Sequence, residues 1–264
     1  MLNQITPLLL TFNEAPNIAR TLGQLSWARD IVVIDSGSSD QTREIAASHP
    51  HVRVFERPFT THAEQWNYGL ARTVIATDWV LALDADFVLS SELVDELARL
   101  APAGTTAGYR ASFRYCIDGR PLRGAAYPPV VVLYRRTHAT YLQDGHTQRV
   151  AVTGDIQPLA APVFHDDRKP LRHWLLSQIR YQGLEAEKLT SAPISSLGVL
   201  DRVRRLIVIA PPAMFCYCYF VRGGWLDGTR GLYYALQRAA AELILSLNLV
   251  ERLLGLHDRD RPTP

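Results

Sequence analysis

Three apolar runs stand out in the first third of the chain, PLLLTF (7–12), DIVVIDS (30–36) and DWVLALDAD (78–86), with a shorter candidate strand, VRVFERP (52–58), before the last of them. Runs that are apolar at nearly every position, rather than at alternate ones, mark strands buried on both faces. The stretches between them read differently. NEAPNIARTLGQLSW opens a helix, GSSDQTREIAASH is a loop feeding one, and AEQWNYGLARTVI (63–75) carries apolar residues at helical spacing. Strand and helix in alternation predict βαβ units, so the fold class expected is α/β, a Rossmann-like, mostly parallel sheet flanked by helices. A ligand of such a sheet sits beyond the carboxyl ends of its strands.

The pattern changes twice further on. Between about 104 and 165, TAGYRASFRYCIDGRPLRG, PPVVVLYRRTHATYLQ and QRVAVTGD read as strands and a hairpin with Gly/Pro turns. From about 168 the chain turns helical. KPLRHWLLSQIRYQGLEAEKL is amphipathic, and GLYYALQRAAAELILSLNLVERLLGL is a long helix with apolar positions 232, 236, 239, 243, 247, 250 and 254. The expected division is a domain over 1–167 with halves 1–100 and 101–167, a helical extension over 168–257, and a disordered tail over 258–264. No internal repeat or low-complexity segment interrupts it.

Composition adds a bias in charge. The chain of 264 residues is 47% apolar and 20% charged, ordinary for a globular protein. Its net charge of +2 hides an asymmetry: residues 1–167 hold 14 basic and 18 acidic side chains, residues 168–264 hold 14 and 8. A basic, apolar final third suits an anionic partner surface. Nucleic acid is disfavoured, because that third is apolar rather than a Lys/Arg patch with exposed aromatics. The start, MLNQITPLLLTFNE, has no basic segment followed by a long apolar one, so no signal peptide is expected. Cys116, Cys216 and Cys218 lack metal-site spacing and read as reduced thiols of a cytosolic setting. Lys169 and Lys188 are the only lysines beside 26 arginines.

Asn13, Glu14, Asp35, Asp84 and Asp86 fall just past the strand ends. Acids converging on one sheet edge repel one another unless a cation or a ligand's donors lie between them. Two carboxylates one residue apart, as in Asp84-Ala85-Asp86, form a D-x-D pattern that suits a hard divalent cation such as Mg²⁺ or Mn²⁺, which takes oxygen ligands and bridges to phosphates. The plain alternative is that Asn13 and Asp35 cap turns and that Gln65 and Asn67 lie on a solvated helix face.

LLLTFNEAPNIARTL, DIVVIDSGSSDQTREIA, AEQWNYGL and DWVLALDAD, in that order and spacing, resemble the successive motifs of family 2 glycosyltransferases with the GT-A fold. The nearest branch resembles bacterial enzymes that build the lipopolysaccharide core or related envelope glycans, and GGWLDGTRGLYYAL resembles that branch's C-terminal motif. The resemblance implies a catalytic domain over 1–167, with a nucleotide-sugar half and an acceptor half. It implies that Thr11, Asn13 and Glu14 hold the ribose and base side of a nucleotide-sugar donor, and that Asp35 accepts from the base, as a uracil N3–H requires. Asp84 would contact sugar or ribose, Asp86 the metal on the diphosphate, and Gln65 and Asn67 would line the donor. His165, in VFHDDR, falls where such enzymes place a further metal or diphosphate contact.

Direct inversion at a sugar carbon needs a base for the acceptor hydroxyl and a Lewis acid for the departing diphosphate. In YLQDGHTQRV the base expected is Asp144, whose plain reading is a turn Asp before Gly145; His146 is next in line. Two departures from the family pattern bear on this. Phe87 follows Asp86 where Glu is frequent, and Thr147 follows His146 where relatives often carry the Glu of a His-Glu pair. Arg135 and Arg136 are candidate phosphate contacts.

The 16 uncharged residues 206–221, interrupted by Pro211-Pro212, are too short and too broken to span a bilayer. Flanked by Arg202, Arg204, Arg205 and Arg222, with Tyr217, Tyr219 and Trp225, they suit a segment lying in the interface. The expected setting is peripheral, at the cytoplasmic face of the inner membrane, where a lipid-linked glycan acceptor would be presented. Two other readings remain open: transfer to a polyprenyl phosphate, which needs no base, and a non-catalytic sugar-nucleotide-binding protein.

Overall fold

The structure, a computed structural model, describes residues 1–125, 127–144 and 147–256. The chain divides into two compact units. Residues 1–121 and 127–169 form the first, and 122–126 with the segment from 170 onward form the second. Arg168 and Lys169 belong to the first unit, tied to it by Asp118, Asp166 and Glu14.

In the first unit β1 (Ile5–Thr11), β2 (Ile31–Asp35), β3 (Val52–Glu56) and β4 (Trp79–Asp84) are parallel neighbours, in the order β4-β1-β2-β3. The crossovers contain α1 (Ile18–Gly23), α2 (Thr42–Ser48) and α3 (His62–Arg72). Alternate strand residues feed two cores. Leu9, Val33, Leu81 and Leu83 pack with Ile18 and Leu22 of α1; Leu8, Val32, Val80 and Ala82 pack on the other face with Trp66 and Leu70 of α3. That two-sided burial is why these strands read as continuous apolar runs.

β5 (Phe87–Leu89) and α4 (Ser91–Arg99) follow, the helix opened by Ser90, whose Oγ accepts from Leu93 N. β6 (Thr106–Ala111), β7 (Phe113–Ile117), β8 (Arg120–Pro121) and β9 (Val130–Arg135) come next. β10 (Ala139–Asp144) and β11 (Thr147–Val152) form a hairpin, and β12 (Asp155–Pro158) and β13 (Val163–His165) end the unit. β9 runs antiparallel between β4 and β6, and β12 closes the seven-stranded sheet beside β6. A smaller sheet pairs β13 with β5 and β7.

The second unit holds α5 (Leu171–Ser191), α6 (Val199–Arg204), α7 (Ala210–Cys216) and α8 (Gly228–Leu253). Pro211 and Pro212 lie in the first turn of α7, where missing N–H donors cost least. Among the described residues no helix is long and apolar enough to cross a membrane. GGWLDGTRG proves to be a close-approach motif: a Cβ on Gly231 would lie 1.9 Å from the Gly224 carbonyl oxygen, so only glycine fits. Asp227 then accepts from the backbone N–H groups of Arg123 and Gly124 and fastens that segment into the unit.

The helices of this unit bury polar residues beside a small apolar cluster of Ala186, Leu189, Leu197, Leu245 and Leu249, and they expose other apolar ones. Arg204 donates to Glu242 at 3.0 Å, Glu185 at 3.2 Å and Gln182 at 3.3 Å, and those three partners are all buried. The apolar stripe of α8 at Leu232, Leu236, Leu243, Leu247 and Val250 lies at the surface, as do Leu175, Leu176 and Ile179 of α5.

Candidate active site

The carboxyl ends of β1 and β2 are fastened to each other. Their register pairs Thr11 with Asp35, and the Thr11 hydroxyl donates to Asp35 Oδ2 at 2.9 Å. Ser38 Oγ donates to the same oxygen at 2.6 Å, and Gly37 N and Ser38 N donate to Oδ1 at 3.0 and 2.8 Å. Asp35 is wholly buried. With two donors on each oxygen its acceptor sites are filled, so in this arrangement Asp35 serves the 36–38 loop rather than presenting a free oxygen to a base. Asn13, at φ 55°, reaches the same loop: its N–H donates to Ser38 Oγ, and its Oδ1 accepts from Ser39 N, both at 2.8 Å.

The residues on α3 are likewise fastened. Gln65 is fully buried and donates to Ser36 Oγ and the Arg57 carbonyl while accepting from the Arg57 guanidinium. Asn67 exchanges two hydrogen bonds of 2.9 Å with the backbone of Tyr141, as a strand neighbour would. Gln65 and Asn67 therefore do not form a solvated face; they tie α3 to the ends of β2 and β3 and to β10. Gln143 accepts from Ala63 N at the start of α3, so β10 carries Asp144 towards the same edge. Gly145 and His146 lie outside the described residues. Arg135 ends β9 opposite Trp79, where β4 begins, with Arg136 next to it in the following turn, and Arg135 covers the Trp79 ring and donates to the Thr106 carbonyl. That is the far edge of the sheet, so neither arginine joins the acids.

The β4 side is different. β13 pairs antiparallel with β5, His165 opposite Phe87, and Asp166 N donates to the Asp86 carbonyl at 3.0 Å. This ladder brings His165 Nε2 to 3.1 Å from Asp86 Oδ2. Phe87 packs against Phe113 and the His165 ring, so the aromatic that replaces the family's frequent Glu seats the imidazole. Asp86 Oδ1 and His165 Nδ1 are buried without a hydrogen-bond partner. Glu14 is held by Asn17 Nδ2 at 2.8 Å and by Lys169 Nζ at 2.5 Å.

Charge explains the spread of acidities. Burial and the charge of Asp86 raise Asp84 to about 6, and the same two causes raise Glu14 to about 7 against the lowering pull of Lys169. Burial would raise Asp86 too, but His165 and Lys169 outweigh it and hold that carboxyl at about 2. Burial lowers His165, and Asp86 more than reverses this, so the imidazole sits above its ordinary value. One firm anion thus lies between two acids that give up their charge easily, the pattern of environments pushed apart at functional sites.

Comparison with known proteins decides the family. The sequence model for Glycosyl transferase family 2 matches residues 8–158. The chain belongs to that family. Its family 2 relatives include an uncharacterized glycosyltransferase of Rickettsia bellii, 31% identical over 144 residues, which are 52% of this chain and 48% of that protein. The chain covers about half the length of that protein and of its Rickettsia felis counterpart. The lipopolysaccharide core biosynthesis glycosyltransferase LpsC of Rhizobium meliloti is 24% identical over 94% of this chain and 92% of its own length. Among solved structures, S. aureus TarS 1-349 in complex with UDP-GlcNAc aligns at a TM-score of 0.50 and 13% identity, covering 96% of this chain and 92% of that one. The fold is the GT-A fold of these enzymes, a mostly parallel sheet flanked by helices with a C-terminal helical segment.

Sequence reasoning passed over three residues that the edge depends on. Asn17 bridges Glu14 and Asp167, Ser38 completes the Asp35 cage, and Lys169 supplies the cation. The only signal for Asn17 and Ser38 was their place in two strand-end loops; Lys169 carried the signal of a rare lysine beside three acidic or basic neighbours.

Proposed function

We propose that this family 2 chain is an inverting, divalent-metal-dependent glycosyltransferase that moves a hexose from a UDP-sugar to a lipid-linked glycan such as lipopolysaccharide core. The observation that carries this reading is the contact of Asp86 with His165 beside Asp84, with Asp86 Oδ1 left without a partner. Asp86 Oδ2 and His165 Nε2 lie 3.1 Å apart, and a carboxylate with an imidazole beside it would hold a divalent cation. Among the described residues no three His, Cys, Asp or Glu side chains converge to hold a metal unaided. Asp86 and His165 are the two that would hold one. Bound there, Mg²⁺ or Mn²⁺ would supply Lewis-acid stabilisation of the departing diphosphate.

The chain's own groups do the rest. Thr11, Asn13, Asp35 and Gln65 shape the nucleoside side through the loops they hold; a direct bond from Asp35 to a base N–H would need one of its four donors to swing away. Glu14 and Asp84 face ribose and sugar, and Asn67 fixes the strand that delivers Asp144, the base for the acceptor hydroxyl. The acceptor is presented at the cytoplasmic face of the inner membrane. Support comes from the outward apolar faces of α5 and α8 in a basic segment, the combination that binds an anionic lipid surface, and from the similarity to LpsC along nearly the whole chain.

The test is transfer of labelled hexose from UDP-sugars to a lipid-glycan acceptor in vesicles containing anionic lipid, with the product's anomeric configuration read by NMR. Inverted product in Mn²⁺, lost in EDTA and in Asp144→Asn, is the expected outcome. Retained configuration, or full turnover by Asp144→Asn, contradicts it. Leu243→Glu/Leu247→Glu should lower vesicle flotation while soluble UDP binding is unchanged.

A further inference from the structure

Lys169 is nearly enclosed, with 13% of its side chain exposed, yet its hydrogen-bonding capacity is mostly unspent. Its ammonium has three N–H donors. One reaches Glu14 Oε1 at 2.5 Å, and the next carboxylate oxygen, Asp167 Oδ1, is 3.8 Å away, beyond hydrogen-bond range. Two donors therefore have no partner among the described residues. Glu14, for its part, has a second partner in Asn17 Nδ2, so the pair is not a closed one. The Lys169 charge is felt by Glu14, Asp84, Asp86 and Asp167, which places the ammonium within the acid edge rather than on its rim.

A structural ion pair would be served as well by arginine, which forks onto a carboxylate with two bonds. This chain uses 26 arginines and two lysines, and the residue here is a lysine. A point charge on a flexible stem can keep one contact to Glu14 and turn its other donors to a second anion. A nucleoside diphosphate brings negative charge to an edge that already holds Glu14, Asp84 and Asp86, and a single divalent ion leaves that excess only partly offset.

We infer that Lys169 is a donor-binding residue whose ammonium contacts the diphosphate of the nucleotide sugar from the Glu14 side, opposite the Asp86–His165 pair. This rests on the donor site proposed above and adds a residue to it. The contact is to phosphate, not to the nucleoside, and that difference makes it testable. Calorimetric titration in Mn²⁺ of the full chain with UDP, and saturation-transfer NMR with uridine, would compare wild type with Lys169→Met. UDP binding should weaken about tenfold, the scale of one hydrogen bond to a charged group, while uridine binding stays within about twofold. Because Lys169→Met strands a buried carboxylate, the same comparison is repeated between Glu14→Gln and Glu14→Gln/Lys169→Met, where none is stranded. Equal losses for UDP and uridine, or no loss for UDP in a protein whose wild type binds it, overturns the assignment and leaves the donor site standing. A wild type that binds none of UDP, GDP, CDP or dTDP overturns the donor site and this inference with it.

Discussion

The two sides of the strand-end edge use the same kinds of residue to different ends. On the β1–β2 side, Thr11 and Ser38 bond to Asp35, which accepts four hydrogen bonds in all, and Asn13 joins the same loop through its N–H and Oδ1. On the β4–β13 side, Asp86 and His165 share one contact of 3.1 Å and leave Oδ1 and Nδ1 without partners, while Lys169 uses one donor of three. Folding normally satisfies buried polar groups, and exceptions gather where a ligand completes them. On the function proposed, the contrast separates residues that hold loops in shape from residues with capacity left for a ligand.

The largest effect expected from this contrast is on Asp35. Asp35→Ala strands its donors in a buried place and should cost about 4 kcal/mol, roughly 1 kcal/mol per lost bond, read by urea unfolding. Asp84→Asn should move the other way. The folded-state pKa of Asp84 is raised from 3.8 to about 6, so its charged form is disfavoured by folding. The resulting penalty is absent below pH 3.8, grows as pH rises through that interval, and is complete above about 6. Removing the charge should therefore stabilise the protein by at most about 3 kcal/mol above pH 6, and by nothing near pH 3.5. Asn67→Ala loses two bonds to the Tyr141 backbone and should cost about 2 kcal/mol. Asp86→Ala should cost about 2 kcal/mol at neutral pH, half the cost of Asp35→Ala: His165 and Lys169 hold this carboxyl down from 3.8 to about 2, a contribution present above pH 3.8 and lost as pH falls through about 2. If Asp86→Ala were as damaging to stability as Asp35→Ala, the contrast would fail.

Much of the first unit was legible because its physics is local. Strands buried on both faces must be apolar throughout, and helices covering them must be apolar at helical spacing, so β1, β2, β4 and α3 could be read from runs and periods alone. The acids at the strand ends were visible for the same reason, since a buried strand that ends in Asp84 and Asp86 announces its own edge. The pairing of β5 with β13 was not. Each has three residues, too few to carry a period, and the ladder spans 79 positions between Asp86 and His165. Nor could the sequence distinguish Asp35, spent on its own loop, from Asp86, since that depends on where Ser38 and Gly37 point. In the helical unit, the apolar stripe of α8 was read correctly as a stripe. Its outward direction was not readable, because the inner face, where Leu245 and Leu249 pack with Ala186 and Leu189 beside the Arg204–Glu185–Glu242 cluster, joins residues of separate helices.

The central claim is that the β4–β13 side is an incomplete site for a metal and a diphosphate. Titration of the protein with UDP, with Mn²⁺ and with EDTA, beside Asp86→Ala, tests it most directly. The account predicts binding that weakens at least about tenfold in EDTA, and an Asp86→Ala protein that is folded and indifferent to Mn²⁺. UDP binding that is equally tight with and without Mn²⁺, and unchanged in Asp86→Ala, would contradict it.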